Sequence, residues 1–356
     1  MRLWTLLLGA AAVLVGTAVG LVVFGNGSSQ LAAGTATGSF VVTSITSGTV
    51  PPNGSISVSF SQPVAAGSPE PSLSPEVGGR WERSGAATLK FVPSVSFAPG
   101  ESIQVTVPAT LRAASGKVLG TPQVSTATIA QGSVLRLQQL LAEAGYLPVR
   151  FKPESPLASD RNVAVPQKGS FSWRWPSIPS GLAAGWYPGQ WNVVTQGALM
   201  VFQHSSGLPV TGTPSATVWQ ALISDSIQGI HTGQPYSYIF VSKSPRPESL
   251  ELYINGKVVL KSLCNTGVGI DTTHAGTWPI FERLVSATMK GVNPNGSHYV
   301  DHGVPWVNYF HGSIAVHGFV RANYGFPQSA GCVELPPATA AQVYRQVGIG
   351  TLVTVA

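Results

Sequence analysis

The stretch S-I-A-V-H-G at residues 313–318, followed by Q-S-A-G-C-V-E-L at residues 328–335, decides how the C-terminal third of this chain is read. An apolar run delivers His317 into a glycine step, and Cys332 follows about fifteen residues later behind Ser329, Ala330 and Gly331. Gly331 permits backbone geometry that other residues resist. Past Cys332 the chain leads to Pro336-Pro337 and a helix start. A free thiol titrates near about pH 8.5, so a partnering imidazole is the usual route to a useful nucleophile at neutral pH. Amide N–H groups beside Cys332 would supply an oxyanion site.

Other residues of the same region compete for these roles. His298 and His302 have the i, i+4 spacing of zinc ligands on a helix. Asn293-Pro294-Asn295-Gly296 before them and Gly303-Val304-Pro305 after them break any helix, and no Glu follows the first His. No metal site is expected. His311-Gly312 is a second His-Gly pair, but it follows an aromatic patch at residues 306–310, so His317 is the expected base. Cys264 sits at a strand end and reads as a buried thiol. A disulfide to Cys332 is open to an exported protein and would silence the site.

Working outward, residues 238–241, 249–254 and 257–263 alternate as strands, the last two joined by an Asn255-Gly256 hairpin turn. A helix is expected around 339–346. Residues 131–230 follow helical spacing at Val134, Leu137, Gln138 and Leu141, again over 195–204, and again over 214–222. A Trp- and Pro-rich insertion at about 150–190 interrupts them. Its Trp173, Trp175, Trp186 and Trp191 are either sugar-stacking rings or core. Residues 38–130 alternate with a period of two between Pro-Asn-Gly, Ala-Pro-Gly and Ser-Gly turns, which predicts an antiparallel β-sandwich. Residues 26–37 read as a flexible tether. In residues 1–25, Arg2 precedes an apolar run over 3–24, long enough to span a bilayer. An uncleaved membrane anchor is expected, while the small residues at 31–34 leave signal cleavage open.

The chain of 356 residues is long enough for two or three domains, with charged residues only 10% and a formal net charge of +6 spread evenly. No basic run of the kind that grips nucleic acid occurs. The whole reads as mainly β with a small α module.

Three family resemblances follow from these strings. Residues 38–130 resemble the immunoglobulin-like modules of bacterial surface enzymes. V-L-R-L-Q-Q-L-L, T-Q-G-A-L-M-V-F-Q and G-L-P-V-T-G-T resemble the small three-helix peptidoglycan-binding domain, apart from the insertion. Residues 231–356 look like an L,D-transpeptidase catalytic domain of the YkuD type, a β-sandwich or barrel. The matching pieces run in order: L-E-L-Y-I-N-G-K-V-V, N-T-G-V, A-G-T-W-P-I, A-V-H-G, S-A-G-C-V-E-L and a final G-T-L-V-T-V.

That last resemblance implies Cys332 as the acylated nucleophile and His317 as general base and acid. It implies Gly331 with Cys332 at the oxyanion site and Ser329 beside it. The family pattern departs here at two positions: Ala330 stands in place of a second His, and Glu334 in place of Arg or Asn. Arg321, Tyr324 and Tyr309 are candidates to fill the vacated substrate-binding roles. The implied reaction is 3→3 cross-linking of donor and acceptor peptidoglycan stem peptides through a thioester, without a cofactor. L,D-carboxypeptidase activity at the same residues and non-catalytic wall binding are the alternatives. The expected setting is the outer face of the cell membrane, as a monomer, with no nucleic-acid partner.

Overall fold

Period-two alternation builds the first body from eight short strands: β1 (Val42–Ile45), β2 (Gly48–Val50), β3 (Ile56–Phe60), β4 (Ser72–Ser74), β5 (Gly79–Arg83), β6 (Thr88–Pro93), β7 (Ser102–Val107) and β8 (Gln123–Ile129). The structure, a computed structural model, describes residues 38–292 and 296–356; the apolar run at 3–24 and the tether lie outside them. Sheets ordered β1-β3-β6-β5 and β2-β8-β7-β4 face each other. Ile56, Val58 and Phe60 from one and Ile103, Val105 and Val107 from the other close a single apolar core. One pair departs from the antiparallel expectation: β2 runs parallel to β8. The chain passes directly from β1 into the opposite sheet, so no hairpin turn reverses it.

The middle body holds α1 (Val134–Glu143), β9 (Val149–Pro153), β10 (Gly169–Trp173), α2 (Ser180–Ala184), α3 (Val193–Ser205) and α4 (Ala216–Gln228). Side chains of Ser133, Asn192 and Ser215 accept from backbone N–H groups of the first turns of α1, α3 and α4. Leu137, Leu141, Leu199, Phe202, Trp219 and Leu222 form its core. The insertion folds as the β9–β10 pair followed by the short helix α2. It packs on that core through the Phe151–Phe171 and Phe171–Trp186 ring pairs. Trp173 joins the same core and Trp175 stands against Tyr236, leaving Trp191 as the exposed member of the cluster. Gln138, Gln139 and Gln203 of the helical strings are buried. Gln138 donates to Thr195 Oγ1 and to the Tyr187 and Gln190 carbonyls, and Gln203 donates to Thr211 Oγ1 and the Thr213 carbonyl.

The third body has two sheets. β11 (Ser237–Ser242), β12 (Ser249–Ile254), β13 (Lys257–Leu263), β14 (Gly276–Pro279) and β19 (Leu352–Val355) form one, ordered β13-β12-β11-β19-β14. β15 (Glu282–Val292), β16 (His298–His311), β17 (Ile314–Gly318) and β18 (Val333–Leu335) form the other, in sequence order. Between them Ile239, Leu252, Val316, Leu335 and Val353 meet Val343 of α5 (Pro337–Gln346). The middle body is joined to this one through its core, since Tyr238 and Leu352 belong to the helical cluster. A Cβ on Gly197 of α3 would lie 2.7 Å from the Gly350 carbonyl oxygen, so the helix and the turn leading into β19 meet glycine against glycine. No helix among the described residues is long and apolar enough to cross a membrane.

Candidate active site

β17 and β18 run parallel, with Val316 opposite Val333 and His317 opposite Glu334. Side chains alternate along a strand, so Cys332, just before β18, falls on the same face as Glu334. His317 and Ala315 share that face on the neighbouring strand. The pleat thus gathers thiol, imidazole and carboxylate into one cleft of about 280 Å³. Ser329, Ala330, Arg321 and Phe319 complete its wall from this side. Met289, Tyr299 and Asp301 reach it from the far part of the β15–β16 hairpin.

The imidazole of His317 is buried at 3% exposure, and its Nδ1 lies 3.0 Å from the Gly318 carbonyl oxygen. A carbonyl only accepts, so Nδ1 carries the proton and Nε2 is left as the basic nitrogen. Burial holds the imidazole below its usual titration range; the Gly318 bond and the Glu334 charge oppose this, and Arg321 adds to it. Burial likewise pushes the Cys332 thiol up to about 11, with Glu334 adding to the rise and the Ala315 backbone hydrogen bond to sulfur opposing it. At neutral pH the resting pair is therefore thiol and neutral imidazole. Such a pair acts by general-base transfer during attack rather than from a preformed ion pair.

Gly331 has φ of +106°, a conformation that side chains rarely adopt. Its N–H donates to Ser329 Oγ at 3.2 Å, and Ser329 Oγ donates to the Cys332 carbonyl at 2.6 Å. Ser329 thus braces the turn, and the Gly331 N–H expected at the oxyanion site is already engaged.

Glu334 does not leave a bare charge beside the cleft. Arg321 Nε and Nη2 donate to its two oxygens at 2.8 and 2.7 Å, a bidentate pair, and the guanidinium lies 4.6 Å over the Phe319 ring. Tyr324 lies outside the cleft wall. Its hydroxyl donates to the Phe319 carbonyl and accepts from the Arg321 N–H, which ties down the loop bearing Arg321. Tyr309 is opposite Ala315 and packs with Cys332, but it too lies off the cleft wall. His311 stacks on Trp278 at 4.4 Å and is likewise off that wall. His298 and His302 lie on strand β16, and no group of three or more metal-binding side chains occurs among the described residues. Both cysteines are free; Cys264 is fully buried and its thiol is raised by burial and by Glu248.

Met289, Tyr299 and Asp301 escaped the sequence reading. Period-two alternation on either side of the Asn-Pro-Asn-Gly segment was the available sign of a long hairpin, but not of what it covers.

Residues 236–355 match the family model of the L,D-transpeptidase catalytic domain, YkuD. No curated protein matches the chain. Similar solved structures include an L,D-transpeptidase from Mycobacterium smegmatis, 12% identical, with 90% of this chain and 100% of that one covered and a TM-score of 0.31. An L,D-transpeptidase from Mycobacterium tuberculosis H37Rv is 13% identical, with 89% and 98% covered and a TM-score of 0.30. The catalytic domain of the E. faecium enzyme is 25% identical over 35% of this chain and 100% of that one, with a TM-score of 0.30.

Proposed function

We propose that this chain, which carries an L,D-transpeptidase catalytic domain over residues 236–355, forms 3→3 peptidoglycan cross-links through a Cys332 thioester. The observation that carries the reading is the shared face of Cys332 and His317 on neighbouring strands inside one cleft.

As Cys332 Sγ attacks the carbonyl carbon of the donor's L,D peptide bond, His317 Nε2 takes the thiol proton. The carbonyl pair moves onto oxygen. Collapse of that adduct breaks the C–N bond, and the imidazolium returns its proton to the departing terminal D-residue. An acceptor amine then attacks the thioester, losing a proton to His317, and the thiol is restored as the new amide forms. Arg321 lines the cleft with its charge balanced by Glu334, so the pair, rather than a free cation, borders the donor peptide. The apolar run at 3–24 would hold the enzyme at the outer membrane face, with the middle body as a wall-binding module and the β-sandwich as a spacer.

Incubation with a β-lactam acylating agent followed by peptide mapping tests the nucleophile; the adduct is expected on Cys332. Muropeptide analysis of the product then separates transfer from hydrolysis. Cross-linked dimers are expected, whereas trimmed stems alone would make the chain an L,D-carboxypeptidase. No adduct and no product would leave a wall-binding protein.

A further inference from the structure

The turn that presents Cys332 is held from behind by a segment far away in sequence. Thr273 is fully buried, and its hydroxyl donates to the Gly331 carbonyl at 2.7 Å while accepting the Gly267 N–H at 2.8 Å. Gly267 is pressed against the same turn: a Cβ there would lie 2.8 Å from Gly331 Cα and 1.8 Å from the Asp271 carbonyl oxygen. Thr266 supports the preceding residues, its carbonyl accepting the Gln328 and Ser329 N–H groups at 2.9 and 3.0 Å. Thr266 is in turn anchored to buried Glu248, by its N–H at 2.8 Å and its hydroxyl at 2.9 Å.

A trans peptide unit is planar, with its C=O and N–H on opposite sides. Fixing the Gly331 carbonyl towards Thr273 therefore fixes the Cys332 N–H in the opposite direction, away from the supporting segment. The Gly331 N–H is taken by Ser329, so the Cys332 N–H is the donor of this turn whose direction matters for a developing oxyanion. The next peptide plane is held as well, because Ser329 Oγ grips the Cys332 carbonyl.

We infer that Thr273 is a positioning residue that sets the oxyanion donor of this site by holding the Gly331–Cys332 peptide plane. With the hydroxyl gone, the hydrogen bond that fixes this plane's carbonyl is lost, and a flipped plane would present a carbonyl oxygen where the donor is needed. The inference rests on the acyl-transfer reading above, and its test compares two reactions of one thiol. Acylation by a β-lactam builds an oxyanion; alkylation by iodoacetamide does not.

In Thr273→Val, β-lactam acylation of Cys332 is expected to slow by ~10²-fold, the usual cost of losing one oxyanion donor, while iodoacetamide alkylation keeps its wild-type rate. Thr273→Ser, which keeps the hydroxyl, should restore acylation. Thr273→Ala removes the same hydroxyl without burying a second methyl group, and it carries the test if the Val variant does not fold. Wild-type acylation in the Val or Ala variant overturns the inference. So does an equal slowing of both reactions, which would mean that Thr273 merely shapes the surroundings of the thiol. A wild-type protein that is alkylated but never acylated overturns the transpeptidase reading and this inference together, and wild type alone reveals that case.

Discussion

Cys264 and Cys332 are both thiols raised by burial and by a nearby glutamate, yet the rest of their surroundings differ. Cys264 sits in an apolar core with Ile239, Leu252 and Val333, its backbone groups paired with the Glu248 carbonyl and the Gly325 N–H. Cys332 stands half-buried in a cleft, with Ser313 O at 3.8 Å from its sulfur and His317 on the same face. Burial by itself disfavours a thiolate in both places. What sets Cys332 apart is a neutral base within the same cleft and a turn held rigid on both sides.

Replacing each cysteine breaks this comparison most directly. Cys332→Ala is expected to abolish acylation and product formation while the melting temperature stays near wild type; Cys264→Ala should label fully. A wild-type protein two hydrogens short in mass, unlabelled until Cys264 is replaced, would mean a disulfide that silences the site.

The base comes next. His317→Ala should slow acylation by at least ~10²-fold. If that variant reacts at the wild-type rate while His311→Ala does not, the wrong imidazole has been chosen. Because burial holds His317 below its ordinary range, the imidazole stays neutral at pH 7, and the acid limb of the rate should fall below pH 6.5. The thiol is displaced the other way, to about 11. Iodoacetamide alkylation should therefore keep climbing above pH 9 in the folded protein, whereas an ordinary thiol levels off past about 8.5. A folded-state profile that levels off there would contradict the displacement.

Smaller effects follow from the ion pair and the core. Arg321→Ala strands Glu334 in a buried position, a loss that denaturant titration should read as about 3 kcal/mol. Arg321 is itself 29% exposed, which favours the lower side of that figure. Cys264→Ala should cost about 1 kcal/mol through lost packing, with acylation unchanged.

Much of the candidate site was legible because Cys332 and His317 lie in short contiguous strings. A-V-H-G and S-A-G-C each announce a strand end and a glycine turn, and no long-range information is needed to see them. The rest depends on register. Met289, Tyr299 and Asp301 reach the cleft because a 14-residue strand, His298–His311, pairs with β15 on one side and β17 on the other. Nothing local in Y-V-D says where that pairing places them. Glu334 read as an inverted charge because its partner Arg321 lies thirteen residues back on a separate loop. The helical strings showed the opposite limit. Gln138 and Gln203 sit in helical strings that carry no sign of their direction, and both turn inward to satisfy loop groups. Buried amides and exposed amides look alike in a helical repeat.

The glycine contact between α3 and the turn ahead of the final strand has a further consequence for how this molecule comes apart. Leu352 and Tyr238 are core residues of the helical body while their strands pair in the sheet of the third body. Severing the chain ahead of residue 236 would therefore open two cores at once, baring Leu352 to water and removing the helix that covers Gly350. The two bodies should melt in a single calorimetric transition, because Tyr238 and Leu352 belong to both packing layers.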